Sequence, residues 1–191
     1  SSEKFANITS VRALANGSIL VNDVPGRRVL MFDPALSKFT VVADSTSATA
    51  NAYGGRIGSL IAYRGDSSIF VDPSSVSMLI IDPSGKVARV VAIPRAQDAN
   101  TLGTPAGNAG FDAQGRLVYR AALAFGGPGG GGGVRTIIGG PGSGTATPAI
   151  PQIPEPPDSA FIVRVDLATR TLDTVGVIRT PKIKFETKSD D

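Results

Sequence analysis

The strongest constraint on the fold of this chain is an internal repeat of about 49 residues. A short apolar run that ends in Asp occurs three times, at residues 29–33 (VLMFD), 78–82 (MLIID) and 162–166 (IVRVD). A hairpin with a glycine at its tip precedes each run, at Gly17, Gly65 and Gly115. A second β-rich run follows each of them, after a polar turn. The repeat therefore predicts a unit of four short antiparallel strands.

The third strand of this unit indicates how the units are arranged. Residues 29–32 and 78–81 are apolar at every position, whereas a strand with one face in water would alternate. Such strands need cover on both faces, which a β-propeller blade receives from the blades beside it. We therefore predict an all-β fold of three four-stranded antiparallel blades, at about residues 8–44, 58–93 and 108–178 of a single domain (1–191). A β-sandwich is the alternative fold, because short strands and turn signals occur in both.

One stretch interrupts the third repeat. Asp82 and Asp166 are 84 residues apart, and the excess falls on the glycine- and proline-rich residues 126–157. We predict an inserted loop between the second and third strands of the third blade. An extended, proline-rich segment is pre-organised to bind a protein, so its apolar side chains are candidate partner contacts, with a passive loop as the alternative. These side chains are Ile137, Ile138, Ile150 and Ile153.

Composition excludes several kinds of chemistry. The chain contains no His and no Cys, which removes imidazole bases, thiolate nucleophiles and the usual ligands of zinc and iron–sulfur clusters. The formal net charge of +3 is spread over single residues, so we expect no nucleic acid partner. No run of apolar residues is long enough to span a membrane. We predict no enzyme activity, no catalytic residue, no metal and no cofactor.

The connections between blades are the other candidate for a binding surface, since propellers usually use the loops around their central channel. The two connections are residues 43–57 and 94–110, and polar groups on them suit recognition of a partner, although a solvated loop explains them equally well. The candidate partner-binding residues there are Tyr53, Arg56, Arg95, Asn100 and Asn108. The tripeptide Arg64-Gly65-Asp66 matches a cell-adhesion motif but falls where the repeat requires a turn, and we interpret it as a turn.

Residues 16–22 (NGSILVN), 111–118 (FDAQGRLV) and 165–170 (VDLATR) resemble the blades of six-bladed propellers of the NHL and TolB-like kind. This resemblance implies a ring of six blades, of which three are recognisable here. The exposed faces of the first and last blades would then need cover, from further blades, from a partner protein or, less favoured, from a second copy in a homodimer.

Two functions remain open at this point. The first is a non-catalytic module for protein binding or scaffolding, periplasmic or secreted, that acts as an accessory subunit of a larger assembly which can be membrane-associated. The alternative is a calcium-dependent hydrolase or lactonase-like enzyme, because Ca²⁺ takes only oxygen ligands and needs no His or Cys. Its candidate ligands would be Asp98, Asn100, Asn108 and Asp112.

Overall fold

A computed structural model of the chain describes residues 4–46, 53–55, 57–104, 109–122 and 157–179. These residues form twelve β-strands and one short α-helix. The first four strands are β1 (Ile8–Ala13), β2 (Ile19–Asp23), β3 (Arg28–Phe32) and β4 (Phe39–Ala43). The next four are β5 (Ser59–Ala62), β6 (Ser68–Asp72), β7 (Ser77–Ile81) and β8 (Val87–Ala92). Helix α1 (Ala99–Gly103) precedes the last four, β9 (Gly110–Phe111), β10 (Leu117–Arg120), β11 (Ser159–Val165) and β12 (Leu172–Arg179).

The strands form three four-stranded sheets, and within each sheet every strand pairs with the strand that follows it in sequence. All pairs are antiparallel. The ladders are in the same register: Ile19 pairs with Phe32, Ser68 with Ile81 and Leu117 with Val165. The all-β fold of three four-stranded antiparallel sheets is therefore confirmed, and the repeat in the sequence is a repeat in space.

An aspartate ends the third strand of every sheet because it closes the turn into the fourth. The backbone N–H of Ser37 donates to Asp33 Oδ1 at 2.7 Å, and the backbone N–H of Ser84 donates to Asp82 Oδ1 at 2.8 Å. In the third sheet the backbone N–H of Ala168 donates to Asp166 Oδ1 at 2.7 Å. These carboxylates serve as turn formers in each repeat.

The first and second sheets pack face to face. Leu20 and Val29 of the first sheet share one buried cluster with Phe70, Leu79 and Ile81 of the second. Phe70 and Leu79 are opposite one another across β6 and β7, so they lie on the same face of the second sheet. Complete burial of a ring such as that of Phe70 stabilises the fold by about 2 to 3 kcal/mol.

The other face of the second sheet packs against the third. Ile69 and Met78 of the second sheet lie in one buried cluster with Leu117, Val163 and Val165 of the third. Successive residues of a strand point to opposite faces, so Ile69 contacts the third sheet while Phe70 contacts the first. This two-sided burial is the reason that β7 is apolar at residues 78–81.

Three sheets stacked in chain order, with the middle one covered on both faces, form the blades of an incomplete β-propeller rather than the two layers of a β-sandwich. The first strands of neighbouring sheets lie next to each other, β1 beside β5 and β5 beside β9, as expected for the innermost strands of blades. Among the described residues, no helix has the length and apolarity needed to cross a membrane.

The excess residues of the third repeat lie between β10 and β11. Most of that stretch, residues 123–156, is outside the described part of the chain, so the predictions for Ile137, Ile138, Ile150 and Ile153 are not tested. The connection between the second and third sheets is partly helical. A 3₁₀ turn at Ala96–Asp98 leads directly into α1, where the sequence indicated only a loop.

Candidate functional site

Each sheet has two ends, which differ in the turns and connections that lie there. At one end lie the connections between sheets and the turns that join the second strand to the third, and we name it the linker end. At the other lie the turns that join the first strand to the second and the third to the fourth, and we name it the hairpin end. The connection from β10 to β11 is at the linker end of the third sheet. The end of β10 and the start of β11, which flank the inserted stretch, therefore lie at the same end of the stack as the strand ends that both connections join.

At the linker end of the first sheet, the buried carboxylate of Asp23 holds the chain that leads into β1. Its Oδ1 accepts the backbone N–H groups of Ala6 at 3.2 Å and Asn7 at 3.1 Å, and its Oδ2 accepts Nε of Arg28 at 3.1 Å. Burial opposes the ionisation of Asp23, but the bonds from Asn7 and Arg28 outweigh burial, and its pKa lies below the usual value. Asp23 is therefore a charged structural anchor.

Asp72 occupies the equivalent position in the second sheet and likewise anchors the backbone around it. Its Oδ2 accepts the backbone N–H of Gly54 at 2.9 Å, in the connection between the first two sheets. Its Oδ1 accepts the backbone N–H of Ser74 at 3.1 Å in the turn to β7. The carboxylate thus ties the connection to the turn beside it, and it is completely buried.

In the third sheet the register places Ala121 at the position of Asp23 and Asp72, and the carboxylate comes from the connection instead. Asp98 is completely buried; its Oδ1 accepts the backbone N–H of Ala122 at 2.9 Å, and its Oδ2 accepts the hydroxyl of Tyr119 at 2.8 Å. Arg95 donates to both oxygens, at 2.6 and 2.9 Å. Burial opposes ionisation of Asp98, yet the bond from Arg95 and the other donors keep its pKa below the usual value.

Tyr53 is part of the core and not of the surface, which corrects its assignment as a partner contact. Its side chain is completely buried, and its ring packs against Phe70 with centroids 4.6 Å apart. The hydroxyl donates to Asn22 Oδ1 at 2.9 Å, and Asn22 Nδ2 donates to the carbonyl of Gly58 at 2.9 Å. Burial raises the pKa of the Tyr53 hydroxyl to about 12. An aromatic ring between small residues was therefore a packing signal.

The other predicted binding residues differ in whether they are exposed to a partner. Arg95 is committed to Asp98, which leaves its guanidinium only partly exposed, so it is a structural residue rather than a free recognition group. Asn100 is exposed on α1 at the linker end, where a partner could reach it. Arg56 and Asn108 lie outside the described residues. The structure thus leaves Asn100 as the accessible member of this set within its described part.

The two aspartates among the candidate calcium ligands lie far apart. Asp98 bonds to Ala122 beyond one end of β10, and Asp112 accepts the backbone N–H of Arg116 before the other end. Six residues of extended chain separate these two contacts by about 20 Å. The described residues hold no cluster of three or more side chains of the types that commonly bind metals.

At the hairpin end, the Arg64-Gly65-Asp66 turn joins the second sheet to both neighbours. Arg64 Nη2 donates to the carbonyls of Gln114 at 2.7 Å and Gly115 at 3.0 Å in the third sheet. Asp66 Oδ2 accepts the backbone N–H of Ala15 of the first sheet at 2.6 Å. Both charged side chains of the tripeptide are therefore used within the protein.

A groove of about 590 Å³ lies between the second and third sheets on their inner side. The innermost strands β5 and β9 and the turns that follow them form its walls. Tyr63 and Phe111 meet across it with ring centroids 4.7 Å apart. A second cavity, of about 240 Å³, shares Ile61 and Ala109 with the groove and reaches the linker end at Leu102 and Thr104. The sequence offered no signal for either, because both depend on how the first strands of separate repeats come together.

Comparison with known proteins identifies no family for this chain. No family model matches the chain, and no curated protein matches it. Among solved structures, YCF48 with a bound D1 peptide is 12% identical with a TM-score of 0.46, covering 94% of this chain and 42% of that one. Virginiamycin B lyase from Staphylococcus aureus is 12% identical with a TM-score of 0.44, covering 92% and 42%. A gluconolactonase from Xanthomonas campestris is 13% identical with a TM-score of 0.43, covering 90% and 49%.

All three are β-propeller proteins. This chain spans less than half the length of each of them. With TM-scores below 0.5 these likenesses assign no function; two of the three proteins are enzymes, while the third is described with a peptide bound.

Proposed function

We propose that this chain is a non-catalytic propeller module that binds a protein partner at its linker end. One observation carries the proposal: three buried carboxylates hold the backbone at that end, and exposed neutral polar side chains stand on the connection between the second and third sheets. Asp23, Asp72 and Asp98 are buried and bonded to backbone N–H groups, whereas Gln97 and Asn100 are exposed. Neutral, hydrogen-bonding surface on a rigid scaffold suits recognition of a protein.

The outer face of the third sheet supports a role in a larger assembly. Register places Arg120 and Arg164 at the positions of Val71 and Ile80, which are buried between the second and third sheets. Once a further blade or partner protein covers this face, each of the two guanidinium groups must have an acceptor, since an unpaired buried charge is costly. Asp173 already provides one to Arg164, at 3.0 Å.

The wider setting of the proposal follows from the sequence resemblance. A six-bladed ring of the NHL or TolB-like kind would be completed by further blades or by a partner, and a second copy is less favoured. The module would then be an accessory subunit of a periplasmic or secreted assembly. The glycine-tipped hairpins and the turn aspartates support the repeat of four-stranded units on which this proposal rests.

Site-specific photo-crosslinking tests the function. We expect Asn100→p-benzoylphenylalanine, at the linker end, to give a discrete protein adduct in cells that express the chain. The matched control is Ala35→p-benzoylphenylalanine, an exposed position at the hairpin end, which should give none. Equal adducts at the two positions, or none at either, would contradict binding at the linker end.

A further inference from the structure

The innermost strand of the second sheet has one unpaired edge. Within the described residues, β5 pairs with β6 and with no other strand, although β1 and β9 lie beside it. The N–H of Tyr63 donates to the carbonyl of Ser67 at 2.9 Å. Hydrogen bonds of an antiparallel pair alternate along the strand, so the N–H and C=O groups of Leu60 and Ala62 point away from β6. These are four backbone groups on the open edge.

The open edge borders the inner groove. Ile61 and Ala62 line it on one side, and Gly110 and Phe111 line it on the other. Its volume of about 590 Å³ lies within the range of ligand sites. Gly110 has no atom within 4 Å of the place where a Cβ would stand, which leaves the opposite wall open as well.

The cavity that continues from the groove towards the linker end is lined by hydroxyl groups. Thr9, Ser10 and Ser59 contribute to its wall. The Ser10 Oγ atom is buried and has no hydrogen-bond partner among the described residues. A buried hydroxyl without a partner is costly, and a polar occupant of the cavity would satisfy it.

The charged side chains that line the groove already have partners within the protein. Arg64 donates to the carbonyls of Gln114 and Gly115, and Asp112 forms an ion pair with Arg116 at 2.8 Å. What remains for an occupant is the row of backbone groups on β5 and the aromatic pair Tyr63 and Phe111. An uncharged occupant therefore fits better than a charged one.

We propose that an uncharged, extended peptide segment of a partner protein binds in this groove as an additional strand on the open edge of β5. Its backbone bonds to Leu60 and Ala62, and an apolar side chain packs on Tyr63 and Phe111. An extended peptide is the class of ligand that presents N–H and C=O groups at the strand spacing. The inference rests on the proposed function and adds to it the form of the partner, an extended segment that runs along the inner side of the sheets from the groove towards the linker end.

The probe for this site is the capped peptide acetyl-Thr-Val-Thr-Phe-Thr-Val-Thr-amide. We expect titration into ¹⁵N-labelled protein to shift the amide signals of Leu60, Ala62 and Phe111. Two N-methylated forms are compared with it, one methylated on every Thr and the other on Val and Phe. A strand bonds to its neighbour through alternate residues, so one form should bind at least about tenfold more weakly than the other. Equal affinities for the two forms, or no shift at β5, would overturn the proposal.

A pair of protein variants gives a second test. Ala62→Pro removes an N–H that points away from β6, which an edge strand tolerates, and should weaken peptide binding by about tenfold. Ala13→Pro is the matched control, because Ala13 has the same position on β1 and does not line the groove. Equal loss in both variants would count against a site on β5, and the N-methylated peptides decide the matter if either variant fails to fold.

The two proposals can fail separately. If crosslinking at Asn100 gives its adduct while the peptide does not bind, only the strand-addition site is wrong. If the peptide binds at β5 without an adduct at Asn100, the module binds peptides but not at the linker end.

Discussion

At the scale of single residues, buried carboxylates hold the backbone in place by accepting hydrogen bonds from it. Asp98 accepts hydrogen bonds from Arg95, Tyr119 and the backbone of Ala122 while completely buried. Sequence alone could not assign this role, because Tyr119 is 21 residues away and its hydroxyl gives no local signal. From sequence alone, a polar residue such as Asp98 in a connection is interpreted equally well as a ligand-binding group, because its hydrogen-bond partner is not known.

The variant Asp98→Asn should destabilise the protein by about 2 to 3 kcal/mol, because it leaves Arg95 without its charge partner. Chemical denaturation of wild type and variant measures this difference in the free energy of unfolding. Asp173→Asn is the control: Asp173 is 60% exposed in its pair with Arg164, so its loss should cost about 0.5 kcal/mol or less. Equal losses would show that the Asp98 contacts contribute no more than a surface ion pair.

The contribution of Asp98 should depend on pH in a defined direction. Its pKa is lowered in the folded state, so the stabilisation is present above the unfolded pKa of about 4 and is lost as the pH falls through the folded value. We expect the difference in unfolding free energy between wild type and Asp98→Asn to be constant from about pH 6 to 8 and to shrink below about pH 4. A difference that grows on acidification would contradict the assignment of Asp98 as a charged anchor.

At the scale of elements, the repeat predicted what local sequence controls. The third strands were predicted from unbroken apolar runs and the turn aspartates from turn chemistry, and Met78 and Ile81 are buried as this interpretation requires. What could not be predicted depends on contacts between repeats. Helix α1 is five residues long and buries Leu102 in the cluster of the second and third sheets, so packing rather than helix propensity holds it.

The turn at Gly65 offers a prediction at this scale. Its φ is +57°, a conformation that costs a residue with a side chain about 1 kcal/mol, and no atom lies within 4 Å of a Cβ added there. Gly65→Ala should therefore lower the unfolding free energy by about 1 kcal/mol in thermal or urea unfolding. Gly110→Ala is the matched control, since it also has open space and lacks a positive φ. An unchanged free energy of unfolding in Gly65→Ala would show that the turn relaxes to accept a side chain.

At the scale of the whole molecule, the three stacked sheets separate the groups that a calcium enzyme would need to bring together. Asp98 is fixed at the linker end and Asp112 at the hairpin end. We expect millimolar Ca²⁺ to leave the melting temperature unchanged to within about 1 °C, because only a ligand that binds the folded state raises it. A clear upward shift, absent with Mg²⁺, would favour the hydrolase hypothesis over the non-catalytic one.

The exchange of a carboxylate between strand and connection explains how the three units have diverged. Asp23 and Asp72 reach out from the second strand, whereas Ala121 occupies that place in the third unit and Asp98 reaches in from the opposite side. A buried carboxylate is thus kept at the linker end of each unit, while the position in the repeat that supplies it changes. Divergence of this kind erases similarity between repeats sooner than it alters the architecture, and position-by-position alignment of the units then underestimates their kinship.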